Sequence, residues 1–201
     1  MVRQRGVFDK LTRDDDGVSR VHFTVRTDDG LDMQASTRAR VVIGADGARS
    51  EVARQAVPGA EKTKYVFAYH EIVKAPELKP HDYDDSRCDV FYQGHLSPDF
   101  YGWVFPHGDT LSIGTGSADK GFSLRNATSS LRSSVGLAGA ETIRREGAPL
   151  PMKPLPRWDN GRNVVLAGDA AGVVAPASGE GIYYALEGGR LAADAIEELL
   201  V

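Results

Sequence analysis

A mixed fold, part α/β and part α+β, is predicted for this chain by three observations. Two short apolar strands each run into a turn that carries an aspartate: Val41-Val42-Ile43 before Gly44-Ala45-Asp46-Gly47, and Val164-Val165-Leu166-Ala167 before Gly168-Asp169. Between them lies a block of strand-like segments joined by Pro- and Asp-rich loops. A long amphipathic helix, roughly from Gly181 to Leu200, follows the second turn.

The chain has 201 residues, enough for a full domain with a core of ordinary size. It is 41% hydrophobic and 26% charged, the balance of a folded protein rather than a disordered one. A net charge of −4 argues against nucleic acid as the main partner, because phosphate binding needs a basic face. The single cysteine, Cys88, leaves no internal disulfide and no cysteine-rich metal site. No apolar run approaches the roughly 20 residues of a spanning helix, and MVRQRGVFDK lacks a signal-peptide core.

Residues 1–45 read as β-hairpins. Val21, Phe23 and Val25 alternate with His22, Thr24 and Arg26, giving one apolar and one polar face. Asp14-Asp15-Asp16-Gly17 and Asp28-Asp29-Gly30 are turn chemistry; the spacing of a calcium loop and its closing glutamate are absent. After the first strand-to-turn elbow, Ser50 to Gln55 is predicted helical. That elbow places Asp46 at the carboxyl end of a sheet, where α/β folds bind ligands; Asp46 could equally be a helix cap.

Tyr65–Val73, Cys88–Gly94, Tyr101–Pro106 and Thr110–Gly116 form the second set of predicted strands. Tyr101, Trp103 and Phe105 fall on one face of a single strand, as either a ligand-lining wall or ordinary core. Ser123 to Gly136 repeats Leu124, Ala127, Leu131 and Val135 at helical spacing. The prolines of Pro149-Leu150-Pro151-Met152-Lys153-Pro154-Leu155-Pro156 exclude helix and central strand, so this stretch is predicted to be a stiff connector. On the last helix, Ile182, Ala185, Leu186, Gly189, Ala192, Ala193, Ile196 and Leu199 form the predicted buried stripe, with Glu187, Asp194 and Glu197 outward. Three stretches follow: 1–60, 61–150 and 151–201.

Several motifs fail on inspection. Gly114-Thr115-Gly116 and Gly179-Glu180-Gly181 both lack the third glycine of a dinucleotide fingerprint. Ser178 lacks the preceding glycine of a nucleophile elbow. The five histidines show no i, i+4 metal pair, and no metal site is expected. What remains is Asp169, able to accept hydrogen bonds from a polyol or ribose, beside the N–H groups from Ser178 to Ile182 at a helix start. Unpaired, those groups would favour an anionic oxygen or an electron-rich ring edge.

GADGARSEVAR resembles the Asp-Gly motif, and LAGDAAGVVAPASGEG the Gly-Asp motif, of the FAD-dependent hydroxylase and reductase superfamily built like p-hydroxybenzoate hydroxylase. YVFAYHEIV, RCDVFYQG, SPDFYGWVFPHGD, EGAPLPMKPLPRW and SGEGIYYALEGGR narrow the resemblance to the geranylgeranyl reductases of chlorophyll and bacteriochlorophyll formation. It extends over nearly all the chain from about residue 40. The resemblance implies a partial FAD-binding domain of the glutathione-reductase type (1–60 and 151–201), with an inserted, mainly antiparallel substrate domain (61–150). It assigns Asp169 and Gly168 to the ribityl chain, Gly179, Glu180 and Gly181 to the flavin ring, and Asp46 and Gly47 to the FAD and NADPH regions. FAD and NADPH are the implied cofactors. The implied substrate is a prenyl chain, as geranylgeranyl diphosphate or a geranylgeranylated (bacterio)chlorophyll, with Tyr101, Trp103 and Phe105 lining its path. The proton donor is left unassigned between Tyr183, Tyr184 and other groups.

The resemblance also implies a cytoplasmic protein with peripheral contact to a photosynthetic membrane. Its relatives begin with a Gly-rich strand–helix unit ahead of the Asp-Gly motif and continue past the last helix. The chain is therefore expected to be the middle of such a reductase, or a non-catalytic fragment. An aromatic monooxygenase of the same superfamily is the alternative activity.

Overall fold

The computed structural model describes residues 5–78 and 80–200. The first four residues of the 1–60 stretch, Lys79, and Val201 at the close of the 151–201 stretch lie outside the described residues. Residues group into two compact units, one made of 1–64 with 151–201 and the other of 65–150.

In the first unit, β1 (Val7–Arg13), β2 (Ser19–Arg26) and β3 (Asp32–Ala39) form an antiparallel meander. The predicted Asp-Gly turns join them, with Gly17 at φ +82° and Gly30 at φ +83°, values that glycine adopts without a Cβ clash. The β1–β2 register shifts between Phe8 and Lys10. Gln55 brackets that irregularity: its Nε2 donates to the Asp9 carbonyl at 3.1 Å and its Oε1 accepts from the Leu11 N–H at 3.0 Å. β4 (Val42–Gly44) leads into α1 (Glu51–Ala56).

β10 (Val164–Leu166) pairs with β4 in parallel, Val164 opposite Val42 and Leu166 opposite Gly44. Val52, Ala53, Val57, Leu155, Val164 and Leu166 close the core of this unit. A Cβ at Gly44 would lie 2.7 Å from Leu166 Cδ2 and 2.8 Å from Val52 Cγ1, so the strand–helix packing needs a residue without one. α3 (Ile182–Leu200) is the last element.

The second unit is a five-stranded antiparallel sheet of order β6-β7-β8-β5-β9 with one helix. Its strands are β5 (Tyr65–Lys74), β6 (Asp89–Phe91), β7 (Gly102–His107), β8 (Thr110–Ser117) and β9 (Thr142–Pro151). α2 (Leu124–Ser134) starts at Ser123, whose hydroxyl accepts from the Asn126 N–H. Val73, Val104, Leu111 and Ile113 on one sheet face pack with Leu131 and Val135, and form this unit's core. Complete burial of Leu111, Ile113 and Leu131 contributes roughly 1.5–3 kcal/mol each.

Two expectations are corrected here. Part of the proline-rich connector is strand: β9 runs through Pro149 to Pro151, tolerated because β9 is an edge that need not donate on its open side. The stripe assigned to the last helix holds only in part. Ile182, Leu186 and Leu199 are exposed, while Ala192 is buried and Gly188 sits 3.4 Å (from an ideal Cβ position) from the Gly168 nitrogen. Small residues let the helix approach the chain closely, so the face with the larger side chains turns outward. Glu187, expected outward, is half-buried and pairs with Arg190 at 2.6 Å.

Candidate functional site

Parallel pairing of β4 with β10 sets the two aspartate turns side by side. The Ala167 N–H donates to the Gly44 carbonyl at 3.0 Å, extending the ladder to the last residue before each turn. Both turns thus leave the carboxyl ends of adjacent parallel strands, the place where α/β sheets hold ligands.

The two carboxylates then have different fates. Asp46 accepts from the Ser50 hydroxyl at 2.5 Å and from the N–H groups of Glu51 at 2.8 Å and Val52 at 3.1 Å. Its side chain holds the start of α1, which is the cap reading left open above. Gly47 follows at φ +82° with open space around its Cβ position.

Asp169 lies in a short 310 turn, Gly168–Ala171, flanked by positive-φ glycines at 168 and 172. Among the described residues no side chain hydrogen-bonds its carboxylate. Burial pushes its carboxyl pKa up, against a smaller opposing effect from its own backbone N–H. Gly181 makes room for it: a Cβ there would stand 2.7 Å from Asp169 Oδ1.

The N–H groups ahead of α3 are not bare, contrary to expectation. Glu180 folds back so that its Oε1 accepts from the N–H groups of Ile182 at 2.5 Å and Tyr183 at 3.1 Å. Ser178 Oγ accepts from the Glu180 N–H at 3.3 Å, and the Gly179 N–H donates to the Ala175 carbonyl at 2.8 Å with Gly179 at φ +69°. An acidic side chain two residues before a helix satisfies its first donors in the way an external anion would. Tyr184 lines a groove of about 390 Å³ with Trp158, Val165, Ala167, Gly188 and Leu191, whereas Tyr183 is exposed.

In the second unit, Trp103 of β7 stands opposite Gly114 of β8, which stands opposite His70 of β5. Pairing residues share a face, so Trp103, Phe105, Ser112, Gly114 and His70 lie together on the face away from Val104 and Ile113. The wall-or-core choice divides by face: Val104 packs in the cluster with Leu131, while Tyr101 and Trp103 are buried on the opposite face, 8% and 9% exposed. Tyr101 packs on Trp103 with ring centroids 5.9 Å apart, and Trp103 on Phe105 at 6.3 Å. A Cβ at Gly114 would fall 2.7 Å from Trp103 Cζ2, so the missing side chain lets the indole lie across β8. Burial raises the Tyr101 phenol pKa, with Tyr92 adding to it.

A polar group on this face escaped the sequence reading. His70 Nδ1 is 2.8 Å from Ser112 Oγ, and its Nε2 is 3.0 Å from Glu146 Oε2. The three residues sit on three strands with no motif spacing, so only sheet register brings them together.

Residues 2–199 match the family described as FAD binding domain. The chain belongs to that family. The chain is 62% identical over 166 residues to the geranylgeranyl diphosphate reductase of Rhodobacter capsulatus, across 83% of this chain and 41% of that protein. It is 42% identical to the chloroplastic geranylgeranyl diphosphate reductase of Oryza sativa, over 77% of this chain and 33% of the relative. The chain thus spans well under half the length of these relatives. A geranylgeranyl bacteriochlorophyll reductase-like protein from Thermoplasma acidophilum superposes with TM-score 0.77 at 24% identity, over 94% of this chain and 47% of that one, and shares its fold.

The residues present fit FAD. A half-buried carboxylate without a side-chain partner suits a cofactor hydroxyl, and the glycine beside it leaves space. The helix start already accepts a carboxylate, the Glu180 one, as a stand-in for an electron-rich ring edge. No helix is long and apolar enough to cross a membrane among the described residues.

Proposed function

We propose that this chain is the flavin-site and substrate-sheet portion of an NADPH-dependent geranylgeranyl reductase. In that reading it serves saturation of prenyl double bonds on geranylgeranyl diphosphate or a geranylgeranylated (bacterio)chlorophyll. The observation that carries the reading is the sheet face opposite α2 in the second unit, where Tyr101, Trp103 and Phe105 stack in a row and Trp103 lies over Gly114. An isolated alkene offers no charge to hold, so recognition must come from extended apolar contact. The names of the relatives support the same substrate class.

FAD, when bound, supplies the hydride-transfer chemistry. The chain's own residues do the rest. Asp169 accepts a hydrogen bond from a cofactor hydroxyl. Gly179, Glu180 and Gly181 present backbone to the ring, while Gly168 lets α3 come close. Gly47 keeps the first turn open beside Asp46, which holds that turn's shape. Tyr101, Trp103 and Phe105 exclude water from the alkene. Peripheral contact of the complete protein with a photosynthetic membrane, from the cytoplasmic side, belongs to the same proposal, since the substrates are greasy.

The test is a full-length protein assayed with NADPH and geranylgeranyl diphosphate. Saturated prenyl product, detected by mass, supports the reading. Hydroxylation of an aromatic compound with oxygen uptake, and no prenyl reduction, would overturn it.

A further inference from the structure

Ser112, His70 and Glu146 first resemble a hydrolytic triad, with contacts of 2.8 and 3.0 Å. The surroundings rule against that role. Ser112 is mid-strand and buried, and its Oγ accepts the Trp103 indole N–H at 3.0 Å, which holds the oxygen in place under the ring. The neighbouring backbone is committed to the β7–β8–β5 ladders rather than to a pair of free donors for an oxyanion.

The two ends of the group fix the direction of its outer hydrogen bonds, and the Nε2–H tautomer of His70 completes the chain. An indole N–H can only donate, so Ser112 Oγ accepts from Trp103. An ionised carboxylate can only accept, so His70 Nε2–H donates to Glu146. With Nε2 donating, the Nε2–H tautomer leaves Nδ1 as the acceptor for the Ser112 hydroxyl. One polarised chain runs from Trp103 through Ser112 and His70 to the exposed Glu146. Its inner end fixes the rotation of an indole that Gly114 allows to lie flat on the sheet.

We propose that His70, held by Glu146 and acting through Ser112, is a positioning residue that sets the buried Trp103 indole on the aromatic face proposed above for the prenyl chain. The substrate half of this statement rests on the function proposed above; the indole half does not. A mere packing role for His70 would be met by any side chain of similar volume. A positioning role needs one atom that accepts from Ser112 and another that donates to Glu146, which the amide of glutamine supplies and leucine lacks.

The test uses protein labelled with ¹⁵N-tryptophan, whose two indole N–H signals are assigned by Trp158→Phe. Hydrogen–deuterium exchange of the Trp103 indole is followed in wild type, His70→Leu and His70→Gln. The Leu variant is expected to exchange about fivefold faster, the effect of one lost internal hydrogen bond, and the Gln variant to stay within about twofold of wild type. If circular dichroism shows the Leu variant unfolded, Glu146→Ala at its exposed position decides the matter. Exchange at least about twofold faster there supports the chain.

Unchanged exchange in the folded Leu variant overturns the proposal, as does equal behaviour of Leu and Gln. In the full-length holoenzyme, His70→Leu should raise KM for geranylgeranyl diphosphate about tenfold, with NADPH consumption by the flavin unaltered and Gln restoring the wild-type value. A wild-type enzyme that reduces no prenyl substrate would remove the proposed function yet leave the exchange result standing. Altered exchange with an unaltered KM would overturn the role in substrate positioning.

Discussion

Asp169 shows how one residue can oppose stability in order to bind. Its carboxyl is held above its ordinary pKa by burial, so the native state takes up a proton more readily than the unfolded chain. Stability from this group is therefore greatest at low pH and falls as pH rises through the native pKa, with the whole cost present at neutral pH. Asp169→Asn should accordingly raise the Tm of the ligand-free protein at pH 7. The gain should vanish below about pH 4, where both states are protonated. The same variant in the full-length protein should hold FAD about tenfold more weakly, because a charged acceptor has been replaced by a neutral one. Thermal melts at the two pH values and a flavin titration check both halves; normal flavin affinity would remove the role given to Asp169. Glu180 has the opposite balance. It caps Ile182 and Tyr183, and Glu180→Ala should cost about 1 kcal/mol in urea denaturation.

At the level of elements, α2 is tied to the sheet by Glu71, which lies buried among Tyr69, Arg132, Thr142 and Arg145. Tyr69 Oη donates to it at 2.8 Å, Arg132 Nη1 at 2.5 Å and Arg145 Nε at 3.2 Å. Burial works to raise the Glu71 pKa, but the donors from Tyr69, Arg132 and Arg145 together bring it below its ordinary value. Its contribution is thus present above the unfolded pKa of about 4.3 and is lost as pH falls through the native value. Glu71→Ala leaves Arg132 without its carboxylate and should destabilise the protein by about 3 kcal/mol at pH 7. The deficit should narrow in acid, measured by denaturant midpoints at several pH values. Strand-like runs between Pro- and Asp-rich loops made β5, β7 and β8 readable from sequence, and the spacing of Leu124, Ala127 and Leu131 did so for α2. β9 was not readable, because Pro149 and Pro151 count against a strand unless its edge position is known. The direction of Tyr101, Trp103 and Phe105 was equally hidden: both faces of β7 are apolar, and only the seat of α2 tells which one is core. For α3 the predicted stripe mixed large and small side chains, while packing buries the small ones that let Gly168 approach Gly188.

Over the whole chain, the two aspartate turns were legible as separate motifs, and their adjacency became visible only with the parallel β4–β10 pairing. That pairing brings together the two turns proposed to hold the cofactor, while no Gly-x-Gly-x-x-Gly occurs in the 201 residues. The chain expressed by itself should therefore bind FAD with a Kd weaker than about 1 μM, an affinity of roughly 8 kcal/mol. Isothermal titration reads this directly, and sub-micromolar binding would contradict it. The register of Leu166 against Gly44 also bears on time. β4 is made early and must wait for its partner while the roughly 120 residues between β4 and β10 are synthesised, a delay of about 6–25 s at ordinary translation speed. During that interval Asp46 can organise α1 by local hydrogen bonds alone, whereas Asp169 has no neighbour to meet until a long loop has closed. The β4–β10 pairing is consequently expected to be the late event in this chain's folding, after the five-stranded sheet, whose strands are closer in sequence.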